Sequence, residues 1–347
     1  MNGKAAARGT DTPADSPAAA DWTAQRERSN LLTLRLMAWI ATTLGRRVAR
    51  AVLHPITLYF LCFGGAATRH SAAYLERVLG RPPRWAERYR HIHHFAATVL
   101  DRVYLLQERF DNFQFEVRGA EHLDPVLAEG QGALLVGGHL GSFEALRALG
   151  QGRHGVRVAM LMYEDNARLI NATLHAIAPK AELHTIALGR LDAMLTLQQW
   201  LDGGGVAGLL ADRTLPAQGQ RSGAQSLPFL GDPAAFSDGP FRLAALLRRP
   251  IVFMAGLYHG GNRYELRFLP VADFRDRPRG AALDAAVRDA MARYASILEG
   301  LCRESPYNWF NFFDFWAPPA APAPTHAPTA SPAPAEDGDH DAERLAA

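Results

Sequence analysis

The sequence predicts an α/β fold in which helices cover a mostly parallel central sheet, preceded by a helical N-terminal section. Two changes of pattern along the chain support this prediction. Up to about residue 111 the apolar residues keep a helical spacing, with one clear break at Arg81-Pro82-Pro83, and after Asn112 they alternate with polar residues as in a half-exposed strand. Farther on, short apolar runs alternate with helical stretches, and such a series places helices on the faces of a parallel sheet.

The strands are predicted in order along the chain. The first covers Phe113, Phe115 and Val117, and the buried strands that follow are expected at 133–136, 156–162, 183–188, 206–210 and 251–257. A helix between two of them is predicted from Leu188, Leu191, Met194, Leu195 and Leu201, with glycines 203–205 ending it. The sequence Gly260-Gly261-Asn262 predicts a hairpin, so one edge of the sheet should be antiparallel, and a last helix is expected near 283–303.

The composition is that of a globular protein, and the two ends of the chain differ from it. The chain has 347 residues, of which 48% are hydrophobic and 21% charged. Residues 1–21 and the Ala/Pro-rich 317–347 contain almost no large apolar side chains, so we expect disordered tails. Residues 22–111 are expected to form the helical section and residues 112–316 the α/β core.

Charge and cysteine content narrow the class of protein. The formal net charge is only +2, and no basic stripe alternates with aromatic residues, so no nucleic-acid partner is expected. The only cysteines, Cys62 and Cys302, are far apart and flanked by apolar residues, which predicts two buried thiols in a reducing compartment. The reducing compartment favours a cytoplasmic location, and because no secretory signal is recognisable among the first twenty residues, no export is expected.

The most apolar stretch, residues 31–67, predicts contact with a membrane surface. Arg35, the cluster at Arg46, Arg47 and Arg50, and His54-Pro55 interrupt it before it reaches the ~20 apolar residues of a spanning helix. The remaining short apolar segments carry the aromatic residues Trp39, Tyr59, Phe60 and Phe63. Aromatic and basic residues together are typical of a helix lying in an anionic bilayer surface. The alternative, helices of an ordinary core, stays open.

His139 and Glu144 are the first candidate for chemistry. His139 follows an apolar strand and a glycine-loosened turn, and a helix is expected to start near Gly141 or Ser142. Open α/β sheets bind ligands at the carboxyl ends of their strands. Glu144, in the first helical turn, is predicted to contact the imidazole and to orient it as a general base for a hydroxyl nucleophile. The alternative is a loop histidine beside a carboxylate that only caps the helix.

A second candidate region follows another apolar strand. It contains Asp212 and Arg213, then a polar loop, then a helix predicted to start at Gly239-Pro240 with Arg242 in its first turn. Arg213, Gly239 and Arg242 are candidates to bind an anionic part of a substrate or a developing oxyanion. For Arg213 the alternative is a structural ion pair with Asp212.

The ordered set of these blocks resembles a known family. His139-Leu-Gly-Ser-Phe-Glu144 is similar to the H-x-x-x-x-[D/E] motif of the lysophospholipid acyltransferase superfamily. The block at 212–214, the block at 228–231, the stretch 236–244 and the aromatic end 308–316 resemble the branch of lipid A lauroyl and myristoyl acyltransferases. Gly138 and Glu144 depart from the Asn before the His and the Asp that many superfamily members have.

The resemblance implies a glycerolipid acyltransferase-like fold and an O-acyltransferase. It implies a donor thioester of acyl carrier protein or coenzyme A as co-substrate, with neither a cofactor nor a metal. It also implies a lipid acceptor and peripheral or monotopic attachment to the cytoplasmic face of the inner membrane. In this sequence the matching catalytic positions are His139 and Glu144, with Asp212, Arg213, Gly239 and Arg242 as substrate contacts. The acceptor stays open between lipid A, an aryl polyene lipid and another lipid.

Other readings of the same residues remain. His91, His93 and His94 could suggest a metal, but no nearby cysteine or carboxylate pattern completes a site, so a polar helix face or a lipid-head contact is favoured. No G-x-S-x-G elbow of a serine hydrolase occurs. A non-catalytic membrane-binding scaffold of the same fold, or an acyl hydrolase, are the alternative functions.

Overall fold

The structure is a computed structural model that describes residue 43 and residues 45–145, 157–163, 184–188, 191–213, 223–276 and 279–317. The predicted tail 1–21, the predicted tail 317–347 from residue 318 onward, and Trp39 lie outside the described residues. Three helices begin the described part: α1 (Gly45–Phe63), α2 (Gly65–Leu79) and α3 (Trp85–Leu106). The predicted break at Arg81-Pro82-Pro83 is confirmed. Gly80 ends α2 with a left-handed φ of 67°, and the backbone N–H of Arg84 donates to Glu87 Oε2 (2.7 Å) at the start of α3.

The remaining elements alternate between strands and helices, as predicted. The strands are β1 (Gln114–Arg118), β2 (Ala133–Gly137), β3 (Val158–Tyr163), β4 (Thr185–Leu188), β5 (Val206–Leu210), β6 (Ala224–Phe229), β7 (Asp232–Ser237), β8 (Pro250–Tyr258) and β9 (Arg263–Asp273). The helices are α4 (Asp124–Ala128), α5 (Leu191–Asp202), α6 (Gly239–Leu247) and α7 (Ala281–Glu304).

Seven strands form the central sheet in the order β1-β9-β8-β2-β5-β3-β4. Strands β8, β2, β5, β3 and β4 are parallel to one another. The predicted antiparallel edge is confirmed, because β9 runs antiparallel to β8 and β1 joins β9 in parallel. Gly260 and Gly261, both at positive φ, make the turn between β8 and β9.

Alternate residues of the central strands point to two separate cores. Leu134 and Val136 of β2 pack on the face that α2, α5, α6 and α7 cover. Ala133 and Leu135 pack on the opposite face, which α1 and α3 cover. The sheet is therefore buried on both sides, as a parallel sheet with crossover helices requires.

The hairpin formed by β6 and β7 was not predicted. A polar loop was expected before Gly231, but residues 224–229 pair antiparallel with residues 232–237 through a turn at Leu230-Gly231, both at positive φ. Exposed and partly buried residues alternate along β6, and its partly buried Leu227 packs on the core beneath α7. The pattern is short and polar on its outer face, which explains why it resembled a loop.

Two residues of the predicted apolar face of α5 lie elsewhere in the structure. Leu188 belongs to β4 and precedes the helix. Leu195 is 63% exposed, so it does not share the buried face of Leu197 and Leu201. α5 packs on β4 and β5 through the face that carries Leu197 and Leu201, so its buried apolar face is narrower than the prediction assumed.

Two arginines of the α1 cluster, Arg46 and Arg50, are directed inward, contrary to the prediction of lipid contact through the whole cluster. Arg46 forms a two-pronged ion pair with the fully buried Asp101 of α3 (2.8 and 2.9 Å). Arg50 lies 3.5 Å from the same carboxylate and donates to Tyr258 Oη. A carboxylate buried away from water requires cationic partners. Arg46 and Arg50 therefore pair with Asp101 instead of facing a membrane surface. Arg47 is exposed.

The other end of α1 exposes apolar side chains. Within the described residues no single helix is both long and apolar enough to cross a bilayer, although α1 and α2, bent by 92°, meet that requirement as a pair. The exposed surface at this end, hereafter the aromatic patch, consists of Leu58, Tyr59, Phe60 and Phe63 on α1 and Trp85 on α3.

Cys62 is exposed at the same end, so the prediction of a buried thiol is wrong for Cys62 and confirmed for Cys302.

Candidate active site

The pairing of β2 with β5 brings two distant residues together. Gly137, the last residue of β2, is in register with Leu210, the last residue of β5. His139 and Asp212 each follow two positions later, so the register places them opposite each other at the carboxyl edge of the sheet. This is the edge at which parallel sheets bind ligands.

His139 forms a hydrogen-bonded pair with the buried Asp212. Nδ1 of His139 lies 2.8 Å from Asp212 Oδ1, and the backbone N–H of His139 donates to Oδ2 (2.7 Å). The indole N–H of Trp309 also donates to Oδ2 (2.9 Å). Because a carboxylate only accepts hydrogen bonds, the proton lies on Nδ1 and Nε2 presents a lone pair. The His139 side chain is 29% exposed, whereas that of Asp212 is 2% exposed.

The carboxyl of Asp212 stays ionised down to low pH. Burial by itself would raise its pKa, but the charge and hydrogen bonds of His139, together with the Trp309 indole, lower the pKa to about 2. A carboxylate in this setting holds the imidazole in one tautomer and stabilises the imidazolium that forms when Nε2 takes a proton.

Glycines allow the chain around His139 to lie close to its neighbours. Gly138 is in contact with Asp212, since a Cβ there would lie 3.3 Å from the carboxyl carbon. Gly141 has a φ of 75°, and a Cβ there would come within 1.9 Å of the Gly256 carbonyl oxygen. The Gly141 N–H donates to the Asn308 carbonyl, and the Ser142 N–H to that of Gly256 (both 2.8 Å). The turn after His139 is thus fixed to β8 and to the C-terminal segment.

Glu144 has a different partner from the one predicted. Its Oε1 lies 2.7 Å from Nε of Arg102 on α3, and its Oε2 accepts from the Ser142 hydroxyl (3.3 Å). That hydroxyl also accepts the Ala145 N–H (3.3 Å), as a helix cap does. The carboxylate in contact with the imidazole of His139 is therefore Asp212, and Glu144 instead joins the first turn of its helix to α3.

Arg213 lies next to the pair, and its guanidinium is over the ring of Phe313 (4.9 Å to the centroid). Desolvation lowers the pKa of Arg213, although the charge of Asp212 raises it. No ion pair within 4.0 Å joins Arg213 to a carboxylate of the described residues, so the alternative of a structural pair with Asp212 is not what the structure contains.

Gly239 and Arg242 are engaged in holding the start of α6. Arg242 pairs with Asp238 (2.6 Å) and with Asp284 of α7 (3.0 Å). The Gly239 N–H donates to the Ser237 hydroxyl (3.3 Å). The buried Asp238 also lies at this helix start and offsets its positive end. These contacts give no support to the prediction that Gly239 and Arg242 bind substrate.

The three histidines of α3 do not form a metal site in the described part of the chain, where no group of three or more metal-binding side chains occurs. His91 is fully buried, contrary to the predicted polar helix face, and its ring bonds to Ser71 and to the Trp309 carbonyl (both 2.8 Å). Burial lowers the pKa of His91 to about 4, so it is neutral at physiological pH.

Sequence reasoning missed Trp309 as part of the site. The aromatic end was noted for its resemblance to a family, but nothing in the local sequence shows which of its rings reaches Asp212. The available signal was indirect, namely a Trp in the run Asn308-Trp309-Phe310-Asn311, in a segment whose backbone would need partners.

The buried carboxylate of Asp212 holds His139 in the orientation of a general base, as in an enzyme. Comparison with known proteins leads to the same class. No curated protein matches the chain. A sequence model described as bacterial lipid A biosynthesis acyltransferase matches residues 30–317, which is most of the chain. The chain therefore belongs to the bacterial lipid A biosynthesis acyltransferase family and is an acyltransferase of lipid A-like acceptors.

Proposed function

We propose that this enzyme transfers a fatty acyl group from a thioester of acyl carrier protein or coenzyme A to a hydroxyl of a lipid A-like acceptor, with His139 as the general base. The observation that carries the proposal is the contact of His139 Nδ1 with the buried Asp212, which leaves Nε2 as an acceptor on a partly exposed ring. An alcohol is a poor nucleophile until its proton is removed in the transition state, and this arrangement supplies the acceptor for that proton.

The steps balance with these residues alone. Nε2 of His139 takes the acceptor's hydroxyl proton while the oxygen forms a bond to the thioester carbonyl carbon. Asp212 stabilises the resulting imidazolium through Nδ1. The carbonyl then re-forms, the C–S bond breaks, and the imidazolium returns its proton to the leaving sulfur. The products are an ester and a free thiol, so the reaction needs neither a metal nor an organic cofactor.

Arg213 and Glu144 have separate roles in the proposal. Arg213 follows Asp212 and forms no ion pair with a carboxylate of the described residues, and it would bind an anionic group of a substrate or the charge that develops on the thioester oxygen. Glu144 would act as a positioning residue, because Arg102 and Ser142 hold its carboxylate in the helical turn that follows the base.

Attachment to the cytoplasmic face of the inner membrane completes the proposal. The aromatic patch supports it, because Phe63 is 74% exposed and Trp85 59% exposed at one end of the helical section. Tyr89 of α3 hydrogen-bonds to His54 of α1 (2.6 Å), so Leu58 and Trp85, one turn beyond each, lie at the same end. Electrostatic attraction to anionic lipids would come from exposed basic residues such as Arg47, because Arg46 and Arg50 pair with the buried Asp101.

The test is product analysis with the full chain in detergent. Radiolabelled lauroyl–acyl carrier protein is incubated with a lipid A precursor that has a free hydroxyl, and label is followed into lipid and into free fatty acid. We expect labelled lipid from the wild type and a fall of about 100-fold or more for His139→Ala, in the range of general-base contributions.

Three results would reject the proposal in different ways. Labelled fatty acid without labelled lipid would indicate a hydrolase, and no turnover of thioesters of either carrier would indicate a scaffold. Wild-type turnover by His139→Ala, with an unchanged melting temperature, would remove His139 from the chemistry.

A further inference from the structure

We infer that Trp309 is a positioning residue for the catalytic base, and that it connects the buried carboxylate of Asp212 to the helical N-terminal section. This inference rests on the proposed role of His139. Its direct observation is the hydrogen bond from the Trp309 indole N–H to Asp212 Oδ2 (2.9 Å).

The indole completes the set of donors to Asp212. Oδ1 faces Nδ1 of His139, whereas Oδ2 receives the His139 backbone N–H and the Trp309 indole. The backbone bond comes from the residue that Asp212 must orient, so it cannot hold the carboxylate independently of that residue. Trp309 is the donor that comes from another part of the chain, and it fixes the rotation of the carboxylate about its side chain.

The main chain around Trp309 is fixed on both sides. The N–H of Phe310 donates to the carbonyl of His139, and the carbonyl of Asn308 accepts from Gly141 (both 2.8 Å). Trp309 also forms an antiparallel bridge with Leu140. The segment therefore runs along the turn that carries the base, and a movement of one would displace the other.

A chain of hydrogen bonds continues from Trp309 into α3 and α2. The carbonyl of Trp309 is 2.8 Å from Nε2 of His91, whose Nδ1 is 2.8 Å from the Ser71 hydroxyl. A carbonyl only accepts, so Nε2 of His91 carries the proton and Nδ1 accepts from Ser71. His91 and Trp309 are both almost completely buried. The series Ser71, His91, Trp309, Asp212 and His139 thus joins the helices to the site.

Trp316 provides a matched control for the chemistry of the indole. Both tryptophans lie in the aromatic cluster around Phe229, with ring centroids 5.3 and 6.1 Å from it. The indole N–H of Trp316, however, donates to the Phe229 carbonyl (3.3 Å) and does not bond to Asp212. Replacing either ring by phenylalanine removes an indole from the same cluster, but only one substitution removes a donor to the carboxylate.

The experiment compares Trp309→Phe with Trp316→Phe in the full chain, using lauroyl–acyl carrier protein and a lipid A precursor as probes. For Trp309→Phe we expect kcat to fall about tenfold or more, as for the loss of a hydrogen bond to a charged group, with KM within about twofold. For Trp316→Phe both constants should stay near those of the wild type.

A spectroscopic measurement separates this inference from the proposed function. In protein labelled with nitrogen-15 at histidine, the Nδ1–H signal of His139 is assigned by its loss in His139→Ala. It should persist in Trp316→Phe, and it should broaden or vanish by faster exchange in Trp309→Phe. This measurement needs no substrate, so it is informative even if the reaction is not the one proposed.

Benzothienylalanine at position 309, which keeps the ring shape and replaces the N–H by sulfur, serves if Trp309→Phe does not fold. It should reproduce the loss of kcat and of the Nδ1–H signal. Wild-type kcat and an unchanged signal in the benzothienylalanine protein, or equal losses in Trp309→Phe and Trp316→Phe, would overturn the inference.

Discussion

Asp212 determines what His139 can do, because its carboxylate fixes both the tautomer and the orientation of the ring. The two residues are 73 positions apart in the chain, and they meet only through the register of β2 and β5. Asp212 is buried and accepts three hydrogen bonds from the described residues, so little of its bonding capacity is left for another role. The contact with Asp212 occupies Nδ1 of His139, so Nε2 is the ring nitrogen that is left to accept a proton.

Arg213 gives a prediction at the same scale. Arg213→Lys should lower kcat/KM about tenfold or more with little change in melting temperature, because a point charge cannot replace a planar guanidinium at a substrate anion. Activity and melting are measured on the same purified variant. The control is Arg242→Lys, whose guanidinium holds Asp238 and Asp284, so it should lower the melting temperature and keep the activity per folded molecule. Preserved activity in Arg213→Lys would contradict a substrate role.

Helix α3 links the N-terminal section to the site through buried polar residues. His91 contacts Trp309, Asp101 pairs with Arg46 and Arg50 of α1, and Arg102 pairs with Glu144. One face of this helix therefore supports the chain segments on which the pair of His139 and Asp212 depends.

The pH dependence of stability should reveal the burial of His91. Burial lowers its pKa to about 4 from 6.5, although the Trp309 carbonyl raises it. Between these values the unfolded chain binds a proton that the folded chain does not, so the free energy of unfolding should fall as the pH falls from 6.5 towards 4. One such proton corresponds to about 1.4 kcal/mol per pH unit. His93 and His94, whose pKa values burial also lowers, act in the same direction.

Chemical denaturation at several pH values between 7 and 5 tests this prediction. His91→Gln should show a smaller pH slope than the wild type. The control Ser71→Ala removes a hydrogen bond to His91 but keeps the imidazole, so it should be less stable with an unchanged slope. Equal slopes in His91→Gln and the wild type would show that His91 is not a buried neutral group.

The elements were more predictable than the contacts. Apolar periodicity located the main strands, and glycine and proline located the antiparallel edge and the break at Arg81-Pro82-Pro83, because all of these depend on neighbouring residues. The partner of His139 depends on strand register and could not be read locally, so Glu144, the carboxylate nearest in sequence, was assigned in its place. The polar β6–β7 hairpin and the inward arginines of α1 were missed for the same reason, since distant groups determine them.

At the scale of the whole molecule, the helical N-terminal section contacts the sheet edge that holds His139 and also carries the aromatic patch. The aromatic patch predicts binding to anionic vesicles, which high salt should weaken only partly because apolar burial is not screened. Phe60→Ser with Phe63→Ser should reduce flotation with such vesicles severalfold or more. Leu195→Ser with Leu246→Ser is the control, since these residues are 63% and 62% exposed on other helices. Equal flotation of both double variants would contradict membrane contact through the patch.

The most direct test of the central claim is the turnover of Asp212→Asn relative to the wild type. Asparagine keeps the size of the side chain but removes the charge that stabilises the imidazolium and can present the wrong tautomer to the ring. The control is Asp238→Asn, a second buried aspartate, which pairs with Arg242 and is not bonded to His139. With both variants folded, we predict that kcat falls about 100-fold or more in Asp212→Asn and only slightly in Asp238→Asn. Wild-type kcat in a folded Asp212→Asn would contradict the account.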